Sequence, residues 1–419
     1  MQELNSKVDY SKKELILLFL IFLFSLFKVG SSYFNQPYTG DEFFSFELTR
    51  DNQNSNFFSK NLDIGNPPLY FFTLKNYLSL FPYHSEFISR SLSLVFLSVS
   101  YFFIIKISEN IYKSKKSILL SVLLFSTSVV TLTYYNLARP YPMYLMFFII
   151  SLYLLNSKPT KIKTISLIVT ITLGTITHYV FYLNFLAFFL LALLQKNKNA
   201  SLAILVSFFT SMIFNFKNIY TALFGENYRY EFNQIYYDKT SILELIKTSL
   251  FQGIVSYKII VFIVLILLIV TIIKINSIKI LEKQKGFVIF AIIQFIIFYS
   301  KPFIDIFPVL TYQISLAIIV QLSFILIIDN IFSETNKKII FIFYGSFLIY
   351  STFLRLTFFS PEITKIKEKM TNQNEQILDT ACYPNMERYY TYYLPNYQFD
   401  CINSGTIYIT RKTGIVNEN

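Results

Sequence analysis

Two adjacent carboxylates, Asp41 and Glu42, stand in the stretch YTGDEFFSFELTR, shortly after an apolar run long enough to cross a bilayer. A carboxylate at the boundary of water and lipid could accept the proton of a hydroxyl group while a water-facing substrate reacts with a lipid-borne one. The alternative is structural, because acidic side chains stabilise the first turn of a helix, here predicted over 43–50. Adjacent helical positions point in different directions, so this pair alone does not predict a metal site.

The composition places these carboxylates in a membrane protein. Of 419 residues, 54% are hydrophobic, 19% aromatic and only 15% charged, far from the average of soluble proteins. The net charge of +12 comes mostly from lysines that flank the apolar runs. Membrane topology explains such lysines better than a nucleic-acid surface does. The first apolar run is longer than a signal peptide needs and lacks a small-residue cleavage site, so we expect a retained first helix.

Apolar segments recur along most of the chain and predict an all-α polytopic membrane protein with about eleven transmembrane helices. The predicted spans are 15–33, 88–107, 118–134, 141–155, 164–178, 180–194, 201–216, 258–275, 287–299, 307–328 and 339–354. Residues 1–354 therefore form a transmembrane domain, whose first outer loop is 35–87, and residues 355–419 form a separate small region.

Lysines mark alternate connections between the predicted spans, and positive residues in short loops stay on the cytoplasmic side. This pattern predicts a multi-pass protein of the cell (inner) membrane with a cytoplasmic N-terminus. The segments 35–87, 135–140, 217–257, 300–306 and 355–419 then face outward. All the unusual polar motifs fall on that outer side.

Several motifs follow the acidic pair in a fixed order: NPPLYFF later in the same loop, an arginine before the second span in SEFISRSLS, NLARPYPMY after the third span and THY after the fifth. Together they resemble the GT-C superfamily of membrane glycosyltransferases, specifically the bacterial proteins similar to glycosyltransferase family 39, which includes the protein O-mannosyltransferases. The resemblance covers roughly 15–194. It implies inverting transfer of a sugar from a polyprenyl-phosphate donor to a hydroxyl group of a lipid, polysaccharide or protein acceptor. The motifs themselves do not require a divalent metal, and they indicate no particular cofactor.

The resemblance assigns roles in the first loop. It makes Asp41 the catalytic base, with Glu42 as its neighbour. Asn66 stands where the family usually has histidine before two prolines. An amide can hydrogen-bond a sugar hydroxyl but cannot take up a proton, so an acid or metal role at Asn66 is doubtful.

The remaining candidates lie at the outer ends of later spans. A phosphate leaves as an anion and needs cations, for which Arg139 and Lys301 are the candidates. Tyr141 follows Arg139 closely, and His178 belongs to the T-H-Y element. Each has a structural alternative: Arg139 could be an interfacial residue among tyrosines, Lys301 a membrane anchor and His178 a partner in a structural hydrogen bond.

The region 355–419 is polar and tyrosine-rich, and it predicts a small extracytoplasmic mixed α/β unit. The runs QILDTACY and GTIYIT are typical of strands, and NMERYYTYYL is typical of a helix. Cys382 and Cys401 are the two cysteines of the chain. Their predicted outer location fits a disulfide in an oxidising compartment, and two free thiols are the alternative.

Two other classes of function remain open at this point. A carrier or flippase for lipid-linked saccharides would share the helices, but it would need charged or polar residues deep within the spans. This chain keeps its strongly polar residues at the outer ends. A structural or polymer-assembly protein without catalysis would tolerate the loss of Asp41.

Overall fold

The computed structural model describes most of the helical part of the chain and three segments near its C-terminus. The described residues are 9–31, 42, 43, 45, 46, 49, 68–83, 85–178, 180–224, 241–252, 254–263, 265, 282–299, 314–354, 375–379, 397–403 and 406–411. The statements that follow concern these residues.

The described chain is built mainly from α-helices. In chain order they are α1 (Lys12–Ser31), α2 (Pro68–Leu78), α3 (Glu86–Ile111), α4 (Lys115–Thr127), α5 (Val129–Tyr135), α6 (Tyr141–Leu155), α7 (Lys161–Thr177), α8 (Phe181–Leu194), α9 (Lys198–Phe224), α10 (Ile242–Leu250), α11 (Glu282–Tyr299), α12 (Ile314–Ile331) and α13 (Glu334–Leu354). Residues 42, 43, 45, 46, 49 and 257–263 are also helical.

Three of these helices, α1, α3 and α12, are long and apolar enough to cross a membrane. The pair α4 and α5 forms a fourth candidate span if the two are taken together. The helices α6 and α8 and the segments Lys198–Phe214 and Gln284–Tyr299 are apolar but shorter. The polytopic helical architecture is thus present, while the number of eleven spans stays a prediction.

The predicted third span, 118–134, is not a single helix, which corrects the sequence interpretation. It is bent by 48° between α4 and α5. Ser128 sits in an extended conformation at the bend, and its hydroxyl accepts a hydrogen bond from the Thr131 N–H at 3.1 Å. This side chain caps the new helix in the way typical of serine at an N-terminus. As a result, the short helix α5 takes its own direction.

The helices α1 and α3 run antiparallel. The Tyr101 hydroxyl in α3 donates to the Leu18 carbonyl in α1, and Tyr10, just before α1, donates to Glu109 near the end of α3 at 3.0 Å. The start of α3 and the end of α1 therefore lie at one end of the bundle. We call it the outer end, following the predicted orientation, and the opposite one the inner end.

A buried carboxylate joins two turns at the inner end. Asp329 in α12 accepts hydrogen bonds from the backbone N–H groups of Lys113 and Ser114 at 2.8 and 3.2 Å and from the Ser117 hydroxyl at 2.8 Å. It also pairs with Lys337 in α13 at 3.1 Å. The turn between α3 and α4 is thus fastened to the turn between α12 and α13.

Two helices lie within segments that the sequence analysis treats as outer loops. They are α2, in the first loop, and α10, in the segment 217–257. Both are too short to cross a bilayer, which needs about 20 residues. The buried side chains of α2 are apolar or aromatic, whereas those of α10 include Thr248 and Ser249.

The C-terminal segments form a three-stranded antiparallel sheet of β1 (Glu375–Asp379), β2 (Tyr397–Asn403) and β3 (Thr406–Arg411). The strand order is β1-β3-β2, with Ile377 opposite Tyr408 and Cys401 opposite Ile407. The strands β1 and β3 overlap the runs 376–383 and 405–410 that were predicted as strands, whereas β2 was not predicted. The predicted helix lies outside the described residues, so the mixed α/β unit stays a prediction.

Candidate functional site

Glu42 is held at the outer end of the bundle by a bidentate ion pair. The Arg90 Nε and Nη2 atoms donate to the two Glu42 carboxylate oxygens at 2.8 and 2.9 Å. The backbone N–H of Ala138 also donates to Glu42 Oε1, at 2.8 Å. Glu42 is 0% exposed and Arg90 3% exposed. One carboxylate therefore ties the first loop both to α3 and to the turn that follows α5.

The residues that follow Glu42 also pack against the outer end of the bundle. Phe43 and Phe46 are buried in the main apolar core, and Thr49 closes the local helix by donating to the Phe46 carbonyl at 2.6 Å. Ser45 is fully buried and accepts a hydrogen bond from Arg139 Nη1 at 3.2 Å. The short helical segment is thus anchored by two aromatic rings and by two contacts to arginine.

Arg139 lies beside this helical segment and is partly exposed. Besides its bond to Ser45, its guanidinium lies over the ring of Tyr141, 5.9 Å from the ring centre. Arg139 and Tyr141 are both half-buried. A guanidinium held flat by a serine and an aromatic ring presents a fixed set of donors, which suits recognition of a phosphate or carboxylate group.

The turn that carries Arg139 is itself held in place from α3. The Ser93 hydroxyl, one turn after Arg90, donates to the Leu137 carbonyl at 2.8 Å. Together with the bond from Ala138 to Glu42, this contact fixes two consecutive residues before Arg139. The position of the guanidinium follows from backbone contacts as well as from its own side-chain contacts.

His178 follows the end of α7 and packs into a group of aromatic rings. Its ring lies 5.5 Å from those of Tyr141 and Tyr144. The Val180 N–H donates to its Nδ1 at 3.3 Å, and an accepting Nδ1 requires the proton to be on Nε2. His178 is therefore a neutral, buried ring beside Tyr141. The packing supports the structural alternative for this residue while leaving it next to the candidate site.

Below His178 lies a buried network of neutral polar groups. Asn184 in α8 donates to the Tyr144 hydroxyl at 2.6 Å, and its Oδ1 atom accepts from Gln294 at 2.9 Å and from Ser315 at 3.0 Å. This network joins α6, α8, α11 and α12. It fixes the helices that support the aromatic group.

Several residues assigned from the sequence lie outside the described part of the chain. They are Asp41, Asn66, Lys301 and Cys382. Cys401 lies on β2, and its side chain is not described. Of the predicted site, the structure brings together Glu42, Arg139, Tyr141 and His178 at the outer end. No group of three metal-ligating side chains occurs among the described residues.

The sequence analysis assigned no role to two basic residues at this end. Arg90 belongs to the arginine motif before the second span, but the motif did not show that its partner is Glu42. Lys28, in the last turn of α1, received no role at all. Both face the protein interior.

Lys28 occupies an unusual position for a lysine near the end of a span. It lies on the buried stripe of α1 formed by Leu18, Ile21 and Ser25, while residues such as Phe27 cover the opposite face. It is 8% exposed, and its ammonium makes no hydrogen bond or ion pair within the described part of the chain. Lysine is rarely buried without a partner. Its stem therefore packs inward rather than along the lipid surface.

The level of Lys28 in the bundle is set by its neighbours on α1. One turn earlier, the Ser25 hydroxyl donates to the Ser126 carbonyl just before the bend between α4 and α5. Two residues later, a side chain at Gly30 would lie 3.9 Å from Leu94 of α3. Leu94 is one helical turn beyond Arg90. Lys28 thus lies near the level of the Glu42 and Arg90 pair.

Comparisons with known proteins agree with this architecture. A scan of protein-family models and a search of curated proteins give no match to the chain. Among solved structures, the chain resembles ArnT from Cupriavidus metallidurans bound to undecaprenyl phosphate, with a TM-score of 0.50 and 10% identity. The match covers 78% of this chain and 62% of that one. The apo structure of the same ArnT gives a TM-score of 0.47 and 12% identity over 75% and 59% of the two chains.

ArnT is a GT-C glycosyltransferase. At 10% identity the likeness concerns the fold, and this chain spans about 62% of the length of the ArnT structure. The likeness shows a fold shared with ArnT, and it agrees with the superfamily that the sequence motifs suggest.

Proposed function

We propose that the chain is an inverting membrane glycosyltransferase that moves a sugar from a polyprenyl-phosphate donor to an acceptor hydroxyl group at the outer end of the bundle. The observation that carries the proposal is the ion pair of Glu42 with Arg90, which anchors the acidic motif within a GT-C fold. The ArnT structure that shares this fold is bound to undecaprenyl phosphate, which supports a lipid phosphate as the donor's carrier.

In this proposal the two carboxylates have different tasks. Glu42 is engaged by Arg90 and by the Ala138 N–H, so it acts as a positioning residue. Asp41 precedes it in the chain and is the candidate catalytic base. A correctly positioned general base increases the reaction rate by about 10² to 10⁴. This gain is obtained only when the base is held next to the reacting hydroxyl group.

The reaction is a single displacement at the anomeric carbon. Asp41 takes the proton of the acceptor hydroxyl as its oxygen attacks the carbon from the face opposite the phosphate. The bond from carbon to phosphate oxygen breaks, and its electron pair leaves with the lipid phosphate. The configuration of the sugar inverts, and the proton on Asp41 returns to water. A phosphate leaves as an anion, so a second carboxylic acid is less necessary than in glycoside hydrolysis.

The leaving phosphate needs positive charge near the outer end, and two described residues can supply it. Arg139 presents a guanidinium held by Ser45 and Tyr141. Lys28 presents an inward-facing ammonium from α1. Lys301 remains a third candidate from the sequence. Charge-assisted hydrogen bonds to phosphate are about twice as strong as neutral ones, so these cations would hold the donor and stabilise the developing charge.

The test is sugar transfer in membranes that contain the wild-type chain or the Asp41→Asn variant. Radiolabelled undecaprenyl-phosphate sugars serve as donors, and both the transferred label and the released undecaprenyl phosphate are measured. Asparagine caps a helix about as well as aspartate, so the variant should fold normally. We expect its transfer rate to fall by about 10² to 10⁴ while the affinity for undecaprenyl phosphate persists.

Near-normal transfer by Asp41→Asn would contradict the proposed mechanism. Movement of labelled lipid between leaflets without release of undecaprenyl phosphate would instead identify a carrier. Asp9→Asn, which makes the same substitution at an exposed aspartate at the inner end, is the matched control.

A further inference from the structure

The short helix α10 enters the bundle from the outer side. Ile242 and Leu243 at its start are exposed, whereas Leu245, Ser249 and Leu250 toward its end are buried. After α10 the chain turns back toward the start of this helix. There, the Tyr257 hydroxyl contacts Glu244 in the first turn of α10. The segment 242–257 therefore enters the bundle and returns.

The end of α10 reaches about the middle of two long helices. The Gln321 amide, near the midpoint of α12, donates to the Ser249 carbonyl at 3.3 Å. The Tyr344 hydroxyl, at the midpoint of α13, donates to the Leu250 carbonyl at 2.5 Å. These two side chains bind carbonyls that the end of a helix leaves without intrahelical partners. Non-helical backbone at such depth occurs where it is enclosed by protein or lines a polar cavity.

Polar side-chain atoms without hydrogen-bond partners belong to residues at and just after the end of α10 and to the glutamine that contacts it. Gln252 is 0% exposed, and both its amide nitrogen and its amide oxygen lack a partner within the described residues. The Ser249 hydroxyl and the Gln321 Oε1 atom also lack partners there. Buried polar groups in proteins are almost always paired, so four such atoms together call for a polar ligand.

The backbone at Gln252 is also unusual. Its φ of 57° is in the left-handed region, which glycine adopts readily and other residues rarely do. Among the described non-glycine residues only Lys196, with φ of 53°, shares this conformation. Lys196 is exposed at the end of α8, where its side chain extends into the surroundings. At Gln252 the same conformation carries a fully buried amide, although the next residue in the sequence is a glycine.

The chemistry of this cluster is neutral. It offers amide and hydroxyl groups that both donate and accept, and no charged side chain is among its orphan atoms. Such groups match the hydroxyls of a sugar, whereas a phosphate would need a cation and an amine would need a carboxylate. We infer that Gln252, Ser249 and Gln321 form a hydrogen-bonding subsite for the hydroxyl groups of a sugar.

The subsite adjoins the candidate active site through α5. The helix α10 packs against both α12 and α5. The helix α5 in turn leads to Ala138 and Arg139, which contact Glu42 and Ser45. The inference rests on the proposed transferase function, and it adds to it a place where the sugar itself is recognised. That sugar belongs either to the donor lipid or to the acceptor.

The experiment compares lipids with and without a sugar. Purified protein in nanodiscs is titrated with undecaprenyl phosphate and with a panel of undecaprenyl-phosphate mannose, glucose, galactose and arabinose. A second titration, in the presence of undecaprenyl phosphate, uses the methyl glycosides of the same sugars. The wild type and the Gln252→Gly and Gln252→Asn variants are measured together, with Lys196→Gly as the matched control.

Glycine removes the amide and also relieves the left-handed backbone, so Gln252→Gly should fold at least as well as the wild type. If the donor sugar binds here, the preference of the wild type for one sugar-bearing lipid over the bare lipid should fall about tenfold in Gln252→Gly, as expected for the loss of one or two hydrogen bonds. If the acceptor sugar binds here, the loss should instead appear with a methyl glycoside. Gln252→Asn should retain part of either effect, and Lys196→Gly should match the wild type.

Unchanged sugar affinities in Gln252→Gly would overturn the inference and leave the cluster as a site for bound water. The same result would not affect the proposed function, which is tested separately by binding of bare undecaprenyl phosphate and by transfer in Asp41→Asn. Conversely, loss of sugar binding in Gln252→Gly together with normal transfer by Asp41→Asn would retain the subsite and reject the catalytic base.

Discussion

Replacing Arg90 by methionine tests whether its ion pair with Glu42 holds the acidic motif in place. The change removes both guanidinium contacts to the Glu42 carboxylate, of 2.8 and 2.9 Å, and leaves a charge that is 0% exposed. Breaking a buried pair by removing one partner costs about 3 to 5 kcal/mol. We expect Arg90→Met to be destabilised by that amount and to lose transfer activity.

Removing both partners should have a different effect. A buried ion pair replaced by apolar side chains of similar size is often neutral for stability. In the Glu42→Met and Arg90→Met double variant, the Ala138 N–H would still lose its acceptor, at a cost of about 1 to 3 kcal/mol. The double variant should therefore be more stable than Arg90→Met alone. Its transfer activity should remain low, because a misplacement of about 1 Å can cost about 10²-fold in rate.

The assay is unfolding of the purified protein in detergent by titration with sodium dodecyl sulfate, alongside transfer in membranes. Lys106→Met is the matched control, since Lys106 lies on the same helix and pairs with Glu109 at 2.8 Å while remaining 37% exposed. Exposed pairs contribute about 0 to 1 kcal/mol. The control should change neither stability nor transfer appreciably.

Two results would refute this reasoning. If Arg90→Met were no less stable than the Lys106→Met control, the buried pair would not stabilise the fold. If the double variant transferred sugar at the wild-type rate, the anchoring of Glu42 would have no part in positioning Asp41.

Three further predictions concern other parts of the chain. Lys28→Met should weaken binding of undecaprenyl phosphate about tenfold in equilibrium titrations, Lys28→Arg should retain most of it, and equal affinities would exclude Lys28 from the phosphate site. Cys382 and Cys401 should be recovered as linked peptides by mass mapping without reduction, with a stabilisation of about 3 kcal/mol, and full alkylation of both native thiols would contradict the bond. Cysteines introduced at Asn52 and Asn396 should react with an impermeant reagent in intact cells, and reaction only after the membrane is opened would reverse the predicted orientation.

The helical membrane architecture could be predicted from the sequence, because a long apolar run with few charges is typical of a helix that crosses a bilayer. The motifs also singled out Glu42, Arg139, Tyr141 and His178, which the structure brings to one end of the bundle. The partners of Glu42 could not be predicted. Arg90 and Ala138 lie 48 and 96 residues away along the chain, and a single sequence carries no sign of such pairings.

Lys28 was missed for a reason particular to membranes. Lipid tails are as apolar as leucine, so apolar side chains alone do not show which face of α1 meets the protein. The available signal was that Ser25 and Lys28 interrupt the apolar run three residues apart, on one face of a helix. Polar residues in a span mark the inward face more reliably than apolar ones do.

The bend between α4 and α5 has little local signal in the sequence. Sharp bends usually occur at proline or glycine, and the segment 115–135 contains neither. Ser128 has an extended backbone and caps α5, which packs against neighbours in the bundle that include α10. Serine is a common N-cap residue, but serines also occur within the other predicted spans, so Ser128 alone did not predict the bend. The polar residues at the end of α10 could not be predicted to lie near α12 either, because Gln252 is remote in sequence from Gln321.

The contacts of Asp329 at the inner end have a consequence for how a long lipid chain could enter and leave the helical bundle. Asp329 joins the turn of an early helical pair to the turn of a late one, and the pairing with Lys337 reinforces it. Because these two helical hairpins are joined at their turns, their opposite ends can separate more easily than the turns can. We therefore expect any widening of the bundle to occur as an angular separation at the outer end, with Asp329 as its hinge.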